Sequence, residues 1–259
     1  MNRLKKLLSF SLLFLLAGCG PPGDSLESIR QSGKFTVAGS GGYPPFNFYQ
    51  NDQVVGFDVD TGYAIAEKLG VELDYITSDW DGLIEGLRAG RYHAILGSMA
   101  ITEQRQQVVA FTVPYYYSGA QLVVRREPDG QHLRPEDMAG KSIAVVTATN
   151  FVVDAENLDA EPVYYQDDNQ TFTELINGRV DGVISDRMVA LKAINEIAGG
   201  ENLVLSGDLL RLEEMALAVR KDDHNLLQRL NQIIEALHER GEMSAISRKW
   251  HDGADISRR

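Results

Sequence analysis

Leu87-Arg88-Ala89-Gly90-Arg91-Tyr92-His93-Ala94-Ile95-Leu96 and Leu175-Ile176-Asn177-Gly178-Arg179-Val180-Asp181-Gly182-Val183-Ile184 are two copies of one pattern. Each reads as a helix end, a glycine free to take a left-handed C-cap, a basic residue, and a short apolar strand. A second matched pair lies upstream. Gly33-Lys34-Phe35-Thr36-Val37-Ala38 and Gly140-Lys141-Ser142-Ile143-Ala144-Val145 each read as a turn followed by a buried strand. Between the pairs lie helical stretches, one over 58–69 with Val59, Tyr63, Ala66 and Leu69 on one face, the other over 169–177. Strands alternating with helices predict an open, mostly parallel sheet, and the chain writes that plan twice, so two α/β lobes are expected.

In open α/β sheets ligands sit beyond the carboxyl ends of the strands. Ser40 to Tyr43, Gly97-Ser98, Thr147 to Asn150 and Ser185-Asp186 follow or end the four repeated strands, so four loops from two lobes can face one cleft. The C-terminal part carries an amphipathic helix over about 223–240, striped by Leu226, Leu227, Leu230, Ile233, Ile234 and Leu237. Gly241 stops it before a shorter helix to Trp250. Gln121 to Val124 and Ala216 to Val219 read as extended segments and are candidates for crossings between lobes. The expected organisation is residues 25–120 plus 217–259 for lobe 1 and 121–216 for lobe 2.

The 259 residues are 44% hydrophobic and 24% charged, a composition for globular units with real cores. At the start, Arg3, Lys5 and Lys6 precede an apolar run from Leu7 to Leu16. That run is too short to span a bilayer as a mature helix and reads as a secretory signal. It ends in Leu16-Ala17-Gly18-Cys19, small residues before the sole cysteine, which resembles the bacterial lipobox. The resemblance implies cleavage before Cys19 and a lipid on its sulfur, and a solitary cysteine in an exported chain forms no internal disulfide. Residues 1–19 are thus expected to be signal and lipobox, and Gly20 to Asp24 a linker to the fold. Gly20 after the cysteine, where aspartate would mark inner-membrane retention, weakly disfavours that destination. Without the signal, 22 Lys and Arg face 37 Asp and Glu, a formal charge near −15 with no basic cluster. Nucleic acid and anionic lipid are therefore disfavoured as partners.

Thr102-Glu103-Gln104-Arg105 follows the first repeated strand, with Thr102 placed to cap a helix and Arg105 in its first turn. A guanidinium beside free helix N–H groups can grip a carboxylate through two parallel bonds. An exposed arginine on a helix is the plain alternative. Asp186 holds the equivalent place in the other half, where it could accept bonds from an ammonium, cap the helix that follows, or do both with its two oxygens. Together they would hold the opposite charges of a zwitterion. Tyr43 and Trp80 put rings in loops, where they would be exposed unless they cover a ligand. Phe46 and Phe48 are expected in the core, and Tyr115-Tyr116-Tyr117 at the hinge.

Tyr43-Pro44-Pro45-Phe46, Gly56-Phe57-Asp58-Val59-Asp60, Trp80-Asp81-Gly82-Leu83-Ile84, Ile101-Thr102-Glu103-Gln104-Arg105 and Pro114-Tyr115-Tyr116-Tyr117-Ser118-Gly119 occur in one order along nearly the whole mature chain. With them the chain resembles the family 3 extracellular solute-binding proteins of bacterial polar amino-acid transporters. The resemblance implies a periplasmic-binding-protein fold, two α/β lobes joined by two crossover strands with a ligand cleft between them. It implies, further, delivery of an amino acid to an ABC permease or a membrane sensor by an exported, lipid-anchored monomer. Arg105 then resembles the carboxylate clamp, Asp186 the amino-group acceptor, and Tyr43 and Trp80 the aromatic walls. Ser98, Thr149 and Asn150 fall on hydrogen-bonding positions.

Two positions depart from the pattern. Ser40 stands where members that bind basic or amide side chains often have aspartate, and Ala100 where a hydroxyl is common. Losing the acid argues against lysine or arginine, because a buried cation without a counter-charge is costly. A neutral polar or modestly apolar amino acid is expected, although Glu213 or Glu214 could restore an acidic contact. Cyclohexadienyl dehydratases resemble the same family and supply the enzyme alternative, but no clear catalytic acid is legible. The five histidines are scattered, with no H-E-x-x-H and no G-x-S-x-G, so neither a metal, a cofactor nor a catalytic residue is expected.

Overall fold

A computed structural model describes residues 25–259. The signal run, Cys19 and the linker lie outside the described residues. The chain opens with α1 (Ser25–Ser32) and β1 (Lys34–Gly39), then a three-stranded antiparallel flap of β2 (Gly42–Tyr43), β3 (Asn47–Gln50) and β4 (Gln53–Val55). There follow α2 (Phe57–Leu69), β5 (Glu72–Thr77), α3 (Leu83–Arg88), β6 (Ala94–Ile95), α4 (Glu103–Gln106) and β7 (Val109–Phe111). The second half comprises β8 (Tyr116–Arg125), β9 (Ser142–Val146), α5 (Phe151–Asn157), β10 (Glu161–Tyr165), α6 (Asp168–Ile176), β11 (Gly182–Asp186), α7 (Arg187–Glu196) and β12 (Leu203–Met215). The chain returns through β13 (Ala218–Arg220) and ends in α8 (His224–Glu239) and α9 (Glu242–Trp250).

Two five-stranded sheets result, ordered β5-β1-β6-β13-β7 and β10-β9-β11-β8-β12. In each, the opening strand (β1 or β9) lies parallel to its neighbours on both sides, and the fourth position holds an antiparallel strand. The doubled sequence pattern is thus a doubled topology, mostly parallel as expected, because the strands on either side of that antiparallel one run with the rest. Gly90 and Gly178, the paired turn glycines, both have positive φ, 73° and 74°, which a side chain rarely adopts. Where β1 and β6 end, Gly39 and Gly97 nearly touch: a Cβ on Gly97 would lie 2.9 Å from the Gly39 Cα.

The antiparallel strands β8 and β12 join the sheets. Tyr116 to Ala120 pair with Met215 to Arg211, an antiparallel ribbon that continues, past a register shift between Ser206 and Arg211, into the second sheet. Gln121 to Val124 runs inside that sheet beside β11, and 218–219 is already in the first, so the ribbon is centred on 116–120 and 211–215 rather than on the segments expected. The C-terminal tail lies against it. Tyr117 N–H donates to Ile256 O at 2.9 Å, Arg259 pairs with Glu214, and the Arg259 guanidinium sits 5.0 Å from the Tyr117 ring centre.

The stripe on α8 is buried at Leu226, Leu230, Ile233, Ile234 and Leu237, as its spacing predicts. On α2 the buried face is turned from the expected one. Asp58, Val59, Thr61, Ile65 and Ala66 point inward, and Tyr63 is 61% exposed. Asp58, a carboxylate outside the expected face, is buried because it has hydrogen-bond partners there. Ile65→Ala should therefore cost about 2–5 kcal/mol of stability, and Tyr63→Ala should stay within about 0.5 kcal/mol. Urea unfolding of the two variants checks the orientation; equal losses would contradict it.

Candidate functional site

The loops at the carboxyl ends of β1, β5, β6, β9 and β10 converge on a cavity of about 300 Å³ between the sheets. That volume lies at the small end of ligand pockets, which run from about 300 to 1,000 Å³. Ser40, Tyr43, Trp80, Ser98, Ala100, Arg105, Thr149 and Asn150, all singled out in the sequence, line it. The lobes touch across it: Trp80 Nε1 donates to Ala148 O at 3.3 Å, and Lys192 on α7 stands 5.7 Å from the Phe48 ring centre on β3.

Lobe 1 supplies the cation. Thr102 caps α4 as expected, its hydroxyl accepting from Arg105 N–H at 3.2 Å. With four residues, α4 has little macrodipole, so the guanidinium itself carries the positive charge. It is fixed by a 2.9 Å bond to Ala100 O and by the Trp80 ring, 5.3 Å away. Ala100 thus acts through its carbonyl, in a position where only a side-chain departure was noted. Burial pulls the Arg105 pKa down, and the Glu213 charge nearby opposes that.

A buried carboxylate braces the lobe 1 loops. Asp58 accepts from Tyr115 Oη at 2.6 Å, Asn47 Nδ2 at 2.7 Å and Ser98 Oγ at 3.0 Å. Asn47 Oδ1 in turn accepts from Gly41 N–H at 2.8 Å and Ser40 Oγ at 3.2 Å. The network ties the ends of β1 and β6 together and holds Ser98 at φ 56°. Burial raises Asp58 to about 6 against the three bonds that lower it. Tyr115 and Tyr116 are fully buried at the ribbon, and Phe46 lies in the core, stacked on Tyr43 and Tyr116. Phe48, expected there too, is only partly buried, edge-on to Trp250.

Lobe 2 supplies the acids. Asp186 ends β11 and caps α7, its Oδ1 accepting from Met188 N–H at 2.7 Å, while Oδ2 is buried without a hydrogen-bond partner. It is fully buried and is not among the residues lining the cavity, where an amino-group acceptor was expected; its Oδ1 is turned to the first turn of α7. Burial raises it to about 7, against the Ser118 hydroxyl and the Met188 amide. The acids that do reach the cavity and are buried are Asp168 and Glu213. Asp168 starts α6 and accepts from Ser185 Oγ at 2.5 Å, and burial raises it to about 6. Asp168 was missed, although the doubled plan points to it: the loop after β10 corresponds to the Trp80 loop after β5. Tyr43 feels all these charges, its hydroxyl pushed well up by burial and then by Asp186, Asp168 and Glu213. The Thr149 hydroxyl donates to Val146 O at 2.7 Å, and Asn150 Nδ2 donates to Glu213 Oε1.

A gap with a guanidinium on one wall and buried carboxyls on the other can bind a small molecule carrying both charges; Asp79 and Asp81, which line it beside Trp80, are exposed. Among the described residues no group of three metal-ligating side chains occurs, and no helix is long and apolar enough to cross a membrane.

Known proteins share this architecture. The L-cystine-binding protein TcyJ of Escherichia coli K12 is 30% identical over 243 residues, 90% of this chain and 88% of that protein. A mutant of the arginine-binding protein ArgBP of T. maritima superposes with a TM-score of 0.81 at 34% identity, over 88% of this chain and 99% of that one. The ancestral amino acid-binding protein AncCDT-1, a precursor of cyclohexadienyl dehydratase, has the same TM-score at 27% identity, again over 88% and 99%. These relatives are named as binding proteins, not enzymes, and the chain is likewise a solute-binding protein of amino-acid type. The model of the bacterial extracellular solute-binding proteins, family 3, matches residues 35–253, and the chain belongs to that family.

Proposed function

We propose that this protein captures a free amino acid between its lobes and delivers it to an ABC permease. The observation that carries the reading is the charge division of the cavity, Arg105 on one wall against Asp168 and Glu213 on the other. The ligand carboxylate goes to Arg105. Its ammonium goes to the acids of lobe 2, Asp168 at the surface with Asp186 behind it. Tyr43 and Trp80 cover the ligand, and Ser98, Thr149 and Asn150 border it. Ligand stabilises the closed form by its differential affinity, and the permease reads that form. A dehydratase would use the same cleft, with a raised-pKa carboxyl as acid. Turnover of prephenate or arogenate would decide for it.

Residues 25–120 plus 217–259 form lobe 1 and 121–216 lobe 2 in this reading, and the protein acts as a monomer. Export leaves it anchored outside the cytoplasm through a lipid on Cys19.

Arg105→Ala should weaken amino-acid binding by about 2–5 kcal/mol, the cost of leaving a buried partner charge unpaired. Calorimetric titration that finds affinity within threefold of wild type refutes the clamp. Affinity should also depend on pH. An ammonium pairs with an ionised carboxyl, so binding to Asp186, at about 7 when free, releases its proton. Affinity should tighten as pH rises from 5 to 7, by up to about tenfold per unit between 6 and 7 and more steeply below 6, where Asp168 must also lose its proton, and level off above 7. In Asp186→Asn the plateau should begin near 6, the value of Asp168; an unchanged profile removes Asp186 from the site. For the anchor, Cys19→Ser should move the expressed protein from the detergent phase to the aqueous phase in Triton X-114 partition. Equal partition of the two forms excludes lipidation.

A further inference from the structure

We propose that Glu213 selects the side chain of the bound amino acid, and that the cleft takes a basic amino acid, one ending in an ammonium or guanidinium. The proposal rests on the amino-acid reading of the cavity and deepens it.

Glu213 lies on β12 in the ribbon between the lobes, is 3% exposed, and lines the cavity. Its Oε1 accepts from Arg211 at 2.6 Å and from Asn150 Nδ2. Its Oε2 is buried with no hydrogen-bond partner. An ionised carboxylate oxygen in that position is costly unless a donor reaches it. Arg211 does not neutralise it, because the same guanidinium makes two bonds to buried Asp154, at 3.2 and 2.7 Å. One cation shared by two carboxylates leaves one negative charge. Arg105 lies near enough to feel the Glu213 charge but gives Oε2 no donor, and one of its own donors is held by Ala100 O.

A zwitterion fills the other two positions and adds no net charge. With its carboxylate on Arg105 and its ammonium on Asp168 and Asp186, Glu213 Oε2 is left to the side chain. An apolar side chain leaves the oxygen bare. A neutral amide supplies a bond but no charge. A cation supplies both, which is the condition under which buried charges are stable. The proposal departs from the neutral side chain expected from Ser40. The Ser40 wall is indeed uncharged, its hydroxyl donating to Asn47, but the counter-charge enters from the ribbon instead.

The test is calorimetric titration of the exported domain, stripped of bound ligand by unfolding and refolding, with lysine, arginine, glutamine, serine and leucine. Lysine or arginine should bind at least about 100-fold tighter than glutamine. Glu213→Gln, which keeps an acceptor for Arg211, should lose about 30-fold or more for the basic ligand and stay within threefold for glutamine. Wild-type preference for a neutral amino acid overturns the proposal whatever the variant does, as does an equal loss for both ligands in a variant whose ligand-free melting temperature is unchanged. Failure of every amino acid to bind would instead sink the amino-acid reading itself and this proposal with it.

Discussion

The structure hangs on the pairing of two antiparallel segments, Tyr116 to Ala120 with Arg211 to Met215. Two strands bonded edge to edge resist separation along their length, so the sheets at either end are kept together. The ribbon's Tyr115 and Tyr116 end is packed into lobe 1 among Phe46 and Phe57. Its other strand bears Glu213 into the space the two lobes enclose.

Electrostatics divides between the lobes in an unequal way. Lobe 1 neutralises its own buried acid with three hydrogen bonds from Asn47, Ser98 and Tyr115, and so makes Asp58 a brace for the loop ends. Lobe 2 leaves Asp168 and Asp186 with fewer donors, one of them a helix amide. One lobe has a self-contained polar network, the other an incomplete one. An incomplete network is where a ligand's charge has most to offer, because it replaces desolvation with pairing.

Much of this was legible in the sequence. The repeated glycines Gly90 and Gly178, the Thr102 cap and the α8 stripe each express a local rule, and local rules can be read from neighbours a few residues apart. The family motifs brought Tyr43, Trp80 and Arg105 to one cleft. What escaped was set by long-range partners. Asp58 stands at a helix start outside the expected apolar face, yet it is buried, with its partners Ser98 and Tyr115 40 and 57 positions away, and of that face Val59 and Ala66 are buried while Tyr63 is exposed. Asp168 reads as an ordinary first-turn acid, and only the equivalence of its loop with the Trp80 loop marks it. The absence of Asp186 from the cavity lining is a matter of which way a cap points, which spacing does not encode.

Two residues of the C-terminal tail touch the ribbon: Ile256 O accepts from Tyr117 N–H, and Arg259 is joined to Glu214, the neighbour of Glu213. The chain terminus is therefore mechanically part of the joint. Anything fused after Arg259, a purification handle or a fluorescent reporter, is mounted on the joint instead of on an idle tail, whereas the start of the fold at Ser25 packs beside Asp223 at the head of α8, away from the ribbon. For a sensor built from this scaffold, a reporter joined at Arg259 is the one placed against the joint.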